Sequence, residues 1–325
     1  MPLVQELAPP LLQGAPRVPT RMLLPEGLGR RVVGFYGARG AEWLGALPGL
    51  VAELEGRWGL SVGSPFEAPS LSYVAPATRA DGARLVLKLS VREPWGAHEA
   101  AALAAFGGRG AVRLEAADPE SGALLLERVE PGAPLSDLCE ARDDEATAAA
   151  AAVIRRLRRT PPPGHSFPSL AGGVGELERG AGEESAPHAL RRTWAYAVGL
   201  ASELLAGPAA EVVLHGDLHH QNILSSGREP WLAIDPKGLT GPPEAEPAAL
   251  LRNPRSFLLA RPDRVRVISE RVRRLAAELP ADPRRLKGWG FVLAVMAAWW
   301  AYEGGEAEEV SAWLECAEAI RAAGV

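Results

Sequence analysis

Apolar side chains recur at Trp43, Leu44, Leu47, Val51, Leu54 and Trp58, the three-and-four spacing of one helix face, and predict a helix over residues 37–60. The lead before it, residues 1–30, is broken by prolines and reads as irregular. The period then shortens. Residues 70–90, SLSYVAPATRADGARLVLKLS, read as strand, turn and strand, because Asp81-Gly82 favours a tight hairpin turn. Residues 93–108, EPWGAHEAAALAAFGG, read as a helix with Pro94 in its first turn and Gly107-Gly108 at its end. A second hairpin is expected over residues 111–132, with its turn at 119–122 and its second strand at 123–129.

Beyond residue 134 the pattern turns helical. The Ala-rich stretch 143–160 and the stretch 188–207 have helical spacing, and residues 161–187 between them read as a loop rich in Pro, Gly and Ser. Residues 212–238, VVLHGDLHHQNILSSGREPWLAIDPKG, read as a short strand, a polar loop and a second short strand. Helices are expected at 244–252, 262–279, 283–303 and 305–323, with Asp282-Pro283 as cap and first turn of the third. A small sheet with one main helix thus precedes a larger helical half. This is an α+β chain in two lobes, residues 1–130 and 131–325, hinged near 130–134.

Composition narrows the partners. The chain has 325 residues, 47% of them hydrophobic, and a net charge of −5. That balance argues against nucleic acid or an anionic membrane and suits a cationic small molecule. The longest apolar run, residues 291–302, is too short to span a bilayer, and the first residues lack the layout of a signal peptide. Cys139 and Cys316 make neither a metal pattern nor a disulfide framework, so a reducing cytoplasm is the expected compartment. The sequence leaves the oligomeric state open.

The chemistry concentrates in residues 212–238. Asp217 on a loop could accept a proton from a hydroxyl. The amide oxygen of Asn222 and the carboxylate of Asp235 could hold a hard cation such as Mg²⁺. Phosphoryl transfer needs those parts and a cation on the phosphates. Lys88 could supply it, held by an ion pair with Glu99; Glu93 is the competing partner. The same stretch also admits a zinc cage built on His215, Asp217, His219 and His220, but no His follows His220 to complete it.

H-G-D-x-x-x-x-N at residues 215–222 followed by I-D at 234–235 resembles the paired catalytic motifs of protein kinases, with Gly in place of Arg. With LVLKLS, LLLERVEPGAPL, WLAIDPKG and LLRNP, residues 65–325 resemble the aminoglycoside and hydroxyurea phosphotransferases, in the branch of the streptomycin 6-kinases. The resemblance implies a two-lobed protein-kinase-like fold and transfer of the γ-phosphoryl group of ATP, with Mg²⁺, to a small-molecule hydroxyl. Streptomycin at its 6-hydroxyl is the first acceptor implied and hydroxyurea the second. Asp217 is then the catalytic base, Asn222 and Asp235 the metal ligands, and Lys88 the phosphate lysine set by Glu99. His215 braces the loop. Ser70 and Ser72 are phosphate-loop candidates, and the backbone of 127–129, from Glu127 to Val129, meets the adenine edge. Lys237 is matched by the branch without a role.

The chain departs from the branch at GPPEAEP, residues 241–247, where Gly-(Asp/Glu)-Pro-(Ala/Thr)-Tyr-(Asp/Glu) is usual. This keeps a metabolite-alcohol kinase of the choline or homoserine type as an alternative, beside a nucleotide-binding protein without transfer activity. Trp289, Val292, Met296, Trp299 and Glu303 form one helical stripe, expected to pack in the core, with Glu303 a candidate border of the acceptor pocket. The six Glu of residues 303–325 could attract a cationic substrate, and the basic run 264–274 is expected to be a solvated face.

Overall fold

The computed structural model describes residues 24–67, 71–180, 186–207 and 210–325. A five-stranded antiparallel sheet comes first: β1 (Leu60–Val62), β2 (Tyr73–Arg79), β3 (Arg84–Leu89), β4 (Leu114–Asp118) and β5 (Ala123–Glu127), in the order β1-β2-β3-β5-β4. The β2–β3 hairpin turns where expected, with the Asp81 carboxylate accepting the Ala83 N–H at 3.0 Å. Strand alternation divides the side chains between the two faces. Tyr73, Leu85, Leu87, Leu89 and Leu125 are buried on one face under α1 (Leu28–Tyr36) and α2 (Ala38–Trp58), against Leu28, Val32, Leu47 and Leu54. Each buried leucine there contributes about 1.5–3 kcal/mol. Lys88, one residue out of phase with Leu87 and Leu89, falls on the opposite face, beside Leu124 in the ladder and toward α3 (Pro94–Phe106).

The larger part contains β6 (Pro131–Pro134), α4 (Cys139–Leu157), α5 (Leu170–Gly180), α6 (His188–Leu205), β7 (Val212–Leu214), β8 (Ile223–Ser226), β9 (Trp231–Ala233), β10 (Leu239–Gly241), α7 (Ala248–Arg252), α8 (Arg255–Leu259), α9 (Arg264–Glu278), α10 (Pro283–Glu303) and α11 (Ala307–Ala322). β6, β8 and β9 form one small sheet, and β7 pairs with β10. Helix α10 lies in the middle of the helical part, with Trp289, Val292 and Val295 fully buried. Asp282 caps it through the Arg284 N–H at 2.8 Å. Among the described residues no helix is long and apolar enough to cross a membrane. The core of this part also takes in Leu103, Phe106, Leu124 and Leu126 from the sheet side, so apolar packing is continuous across residue 130.

Several elements differ from expectation. Helix α1 starts at Leu28, inside the lead read as irregular, because Leu28 and Val32 are buried against α2 and the sheet. Helix α5 occupies part of the expected loop 161–187. Its glycines hide the pattern, but Leu170 and Val174 are buried one turn apart and the Ser169 hydroxyl caps Gly172 N–H at 3.0 Å. The polar loop after β7 contains β8, whose serines mask a strand anchored by fully buried Ile223. The expected hinge at 130–134 is occupied by β6, paired with β8. Residues 244–252 hold the end of a 3₁₀ turn (Pro243–Ala245) and the short α7, and α8 follows where no helix was expected. In the basic run, Arg271 is 1% exposed. It pairs with Asp143 and donates to the carbonyls of Leu250 and Asn253, which makes it a structural clamp rather than part of a solvated face.

Candidate active site

The sheet face opposite α1 and α2 presents Lys88, 6% exposed, to Glu99 on α3. The Lys88 ammonium donates to both oxygens of Glu99, at 2.8 and 2.9 Å, and to Asp235 Oδ1 at 3.1 Å. Burial disfavours the ammonium, but Asp235 and Glu99 outweigh it and hold Lys88 above its ordinary range. Glu93, the competing partner, is bound to Arg39 instead, at 2.9 Å. Asp235 adopts φ +59° just beyond β9, an unusual conformation for a residue with a side chain. Its carboxylate stays 43% exposed, and the lysine and burial oppose each other there, with the net effect that it lies below the usual carboxylate range.

His215 to Asn222 form the loop facing this pair. His215 is fully buried. Its Nε2–H donates to the Ile234 carbonyl at 2.8 Å and its Nδ1 accepts the Asp217 N–H at 3.3 Å. Burial pushes its pKa down to about 4, so the ring is neutral and both nitrogens are occupied. Neither is left to ligate zinc, which removes the first ligand of the cage weighed above. Asn222 Nδ2 donates to the Asp217 carbonyl at 3.0 Å, leaving its side-chain oxygen as the remaining donor. That oxygen and the exposed Asp235 carboxylate make a sparse, hard donor set of the kind Mg²⁺ takes. His219 Nε2 lies 4.0 Å from Asp217 Oδ2. His220, the last residue of that cage, is fully buried.

Two glycines set this loop against its neighbours. Gly216 has φ +81°, and a Cβ there would meet Leu239 Cδ1 at 2.8 Å, so the Arg of the protein-kinase motif would be strained here and would have to displace Leu239. Gly238 has φ +69°, and a Cβ there would lie 2.4 Å from the His98 carbonyl oxygen on α3. The segment after Asp235 therefore touches the helix that carries Glu99.

The other predicted residues are more scattered. Ser70 lies outside the described residues. Ser72 shares a hydrogen bond with Ser90 at 2.8 Å. The Glu127 N–H donates to the Arg113 carbonyl at 2.9 Å, which leaves the backbone of residues 128 and 129, up to half-buried Val129, for an adenine edge. Glu303 is exposed at the end of α10 and accepts the Trp299 indole N–H at 2.9 Å. Among the described residues no hydrogen bond or ion pair joins it to the loop of Asp217.

Three residues join the site without having been singled out. Glu246 is buried beneath the loop and accepts the N–H groups of His215 and Gly216, at 2.6 and 3.3 Å. Burial pushes its pKa up to about 7 against those two hydrogen bonds. It stands at the final acidic position of the branch pattern, which the altered loop retains; that was the signal available. Arg252 Nη2 lies 3.9 Å from Asp217 Oδ1, with its guanidinium 5.2 Å from the ring centre of Trp313. Arg228, at the β8–β9 turn, donates to both oxygens of Glu127, at 2.9 and 2.8 Å, and to the carbonyls of Gly108 and Ala111. It came from a stretch whose polarity suggested only a loop.

A small antiparallel sheet that offers a lysine–glutamate pair to a loop of Asp and Asn, above a helical body, defines a kinase-like phosphotransferase. The chain belongs to the aminoglycoside/hydroxyurea antibiotic resistance kinase family, whose model matches residues 57–305. It is 34% identical over 311 residues to a streptomycin 6-kinase of Streptomyces glaucescens, covering 92% of this chain and 97% of that one. It is 36% identical over 279 residues to a hydroxyurea phosphotransferase of Kitasatospora aureofaciens, covering 84% and 78%. The fold matches a thermostable mutant of aminoglycoside phosphotransferase APH(4)-Ia, solved in ternary complex with AMP-PNP and hygromycin B. The TM-score is 0.61 at 15% identity, covering 83% of this chain and 97% of that one.

Proposed function

We propose that this phosphotransferase uses ATP and Mg²⁺ in the cytoplasm to phosphorylate an aminoglycoside-type antibiotic, with the 6-hydroxyl of streptomycin as the acceptor. The observation that carries the reaction is the meeting of Lys88, Glu99 and Asp235 in one hydrogen-bonded group beside the loop of Asp217 and Asn222. Similarity to a streptomycin 6-kinase over nearly the full length of both chains supports the acceptor.

In this reading residues 1–130 and 131–325 act as two lobes, and the nucleotide lies between them. Lys88 neutralises the α- and β-phosphates, and Glu99 keeps its ammonium in place. Asp217 accepts or orients the hydroxyl proton, steadied by Asn222 at its carbonyl and by the neutral ring of His215 at its N–H. Asn222 and Asp235 would hold Mg²⁺, which when bound supplies charge neutralisation on the phosphate oxygens.

A second reading has hydroxyurea, a neutral molecule, as the acceptor. The cation of Arg252 beside Asp217 favours it. So does the pairing of the C-terminal acids: Glu309 with Arg255, Glu315 with Arg264 and Glu318 with Arg321, which leaves less free negative charge than the sequence implied. The test is mass spectrometry of streptomycin, other aminoglycosides, hydroxyurea, choline and homoserine after incubation with the protein and Mg-ATP. Streptomycin gaining one phosphoryl group is the expected result. Phosphorylated hydroxyurea alone selects the second reading. A panel left unmodified by protein that binds ATP removes both acceptors.

A further inference from the structure

Of the 35 basic residues in the chain only three are lysine: Lys88, Lys237 and Lys287. All the others are arginine, so a lysine marks a position where arginine does not serve. Two of the three have a visible reason. Lys88 fits a compact ammonium between two carboxylates. Lys287 is half-buried and donates to the Ala323 and Arg321 carbonyls, at 2.7 and 3.3 Å, at the end of α11. Lys237 is exposed, and among the described residues every other exposed basic side chain is arginine. A solvated surface lysine would therefore be out of keeping with the rest of the molecule.

Its position is defined by its backbone. Lys237 follows Asp235 by two residues, and its N–H donates to the His215 carbonyl at 2.7 Å. Its Cβ lies 3.4 Å from where a Cβ on Gly216 would sit. The side chain thus starts beside Gly216 of the Asp217 loop, two residues beyond Asp235. Its charge is felt at Asp235, Glu99 and His219. Among the described residues it forms no ion pair, whereas Lys88 is already bound to two carboxylates. A compact, freely rotating ammonium suits a phosphate oxygen approached as a point charge, where the planar fork of arginine imposes its own geometry.

We propose that Lys237 is a second phosphate-binding cation, which holds the terminal phosphoryl group of the nucleotide next to Asp217. This rests on the kinase reading above and adds to it: Lys88 serves the inner phosphates and Lys237 the one that is transferred. No covalent step is added, since the lysine only neutralises charge on the group in transit.

The test compares AMP-PNP with ADP, in the presence of Mg²⁺, by calorimetric titration of the full chain and of Lys237→Ala and Lys237→Met. Loss of one charge-assisted hydrogen bond weakens AMP-PNP by about tenfold or more, while ADP, lacking the third phosphate, changes by less than about twofold. AMP-PNP affinity within about twofold of wild type in both variants overturns the proposal. So does an increase in the acceptor KM with AMP-PNP binding intact, which would turn the lysine toward the acceptor. Lys237→Arg keeps the charge but not the compact head and is expected to bind AMP-PNP more weakly than wild type; equality overturns the need for lysine. If the wild-type chain binds neither nucleotide, the kinase reading itself fails, and that result is distinct from failure at Lys237 alone.

Discussion

Replacing Glu246 by Gln should change how stability depends on pH. Glu246 is 6% exposed, and burial moves its carboxyl from an ordinary 4.5 to about 7 despite the two backbone N–H groups it accepts. The folded state therefore binds a proton that the unfolded state releases across that interval. Stability from this group is fully present below about pH 4.5 and declines as the pH rises to about 7, by about 3 kcal/mol in all. Gln has no such proton, so the difference in unfolding free energy between wild type and Glu246→Gln isolates this group from every other titration. Urea unfolding of both proteins from about pH 4.5 to 8 should show wild type losing about 3 kcal/mol relative to the variant. A constant offset of about 1–3 kcal/mol, from the amide NH₂ that Gln turns toward one backbone N–H, is superimposed and does not vary with pH. A flat difference across the window would refute the reasoning, because it would mean that the two N–H groups keep the carboxylate ionised in its ordinary range.

Asp217→Ala should lower phosphoryl transfer by about 10²–10⁴-fold, with AMP-PNP affinity within about twofold of wild type; near-normal turnover would remove it as the base. Gly238→Ala places a methyl 2.4 Å from the His98 carbonyl at φ +69°. It should cost about 1–3 kcal/mol of stability in urea unfolding and raise the KM for ATP by shifting α3. Arg228→Lys loses the two-pronged grip on Glu127 and should destabilise by a similar amount, about 1–3 kcal/mol, with a larger effect on the KM for ATP than on that for the acceptor.

The hairpin with Lys88 and the helix with Glu99 were legible because alternation and helical spacing are local properties, and their encounter follows once the strand's second face packs on α3. The Asp217 loop was legible from its motif. Glu246 and Arg252 were harder, since their roles depend on a return of the chain beneath and beside that loop, 29 and 35 residues beyond Asp217. Arg228 has no local signature at all. Its importance comes from three partners on two other segments, Glu127 on β5 and Gly108 and Ala111 in the α3–β4 loop, none of which its own neighbours in sequence announce. Helix α5 was missed for another reason: glycines dilute a periodicity that two buried residues are enough to define.

Arg228 also bears on which parts of the chain can vary independently. The hairpin of β8 and β9, with Asn222 before it and Asp235 after it, is fastened at its tip to Glu127, Gly108 and Ala111. Its far strand is stitched to the α3–β4 loop, where Val112 N–H donates to the Ala233 carbonyl and Ala233 N–H to that of Gly110. This hairpin is thereby a fixture of the sheet, although the chain reaches it only after helices α4, α5 and α6. Helices α6, α10 and α11 contribute nothing to that fastening. Substitutions among them leave those hydrogen bonds in place, so the helical body can vary while the hairpin between Asn222 and Asp235 keeps its register against the sheet.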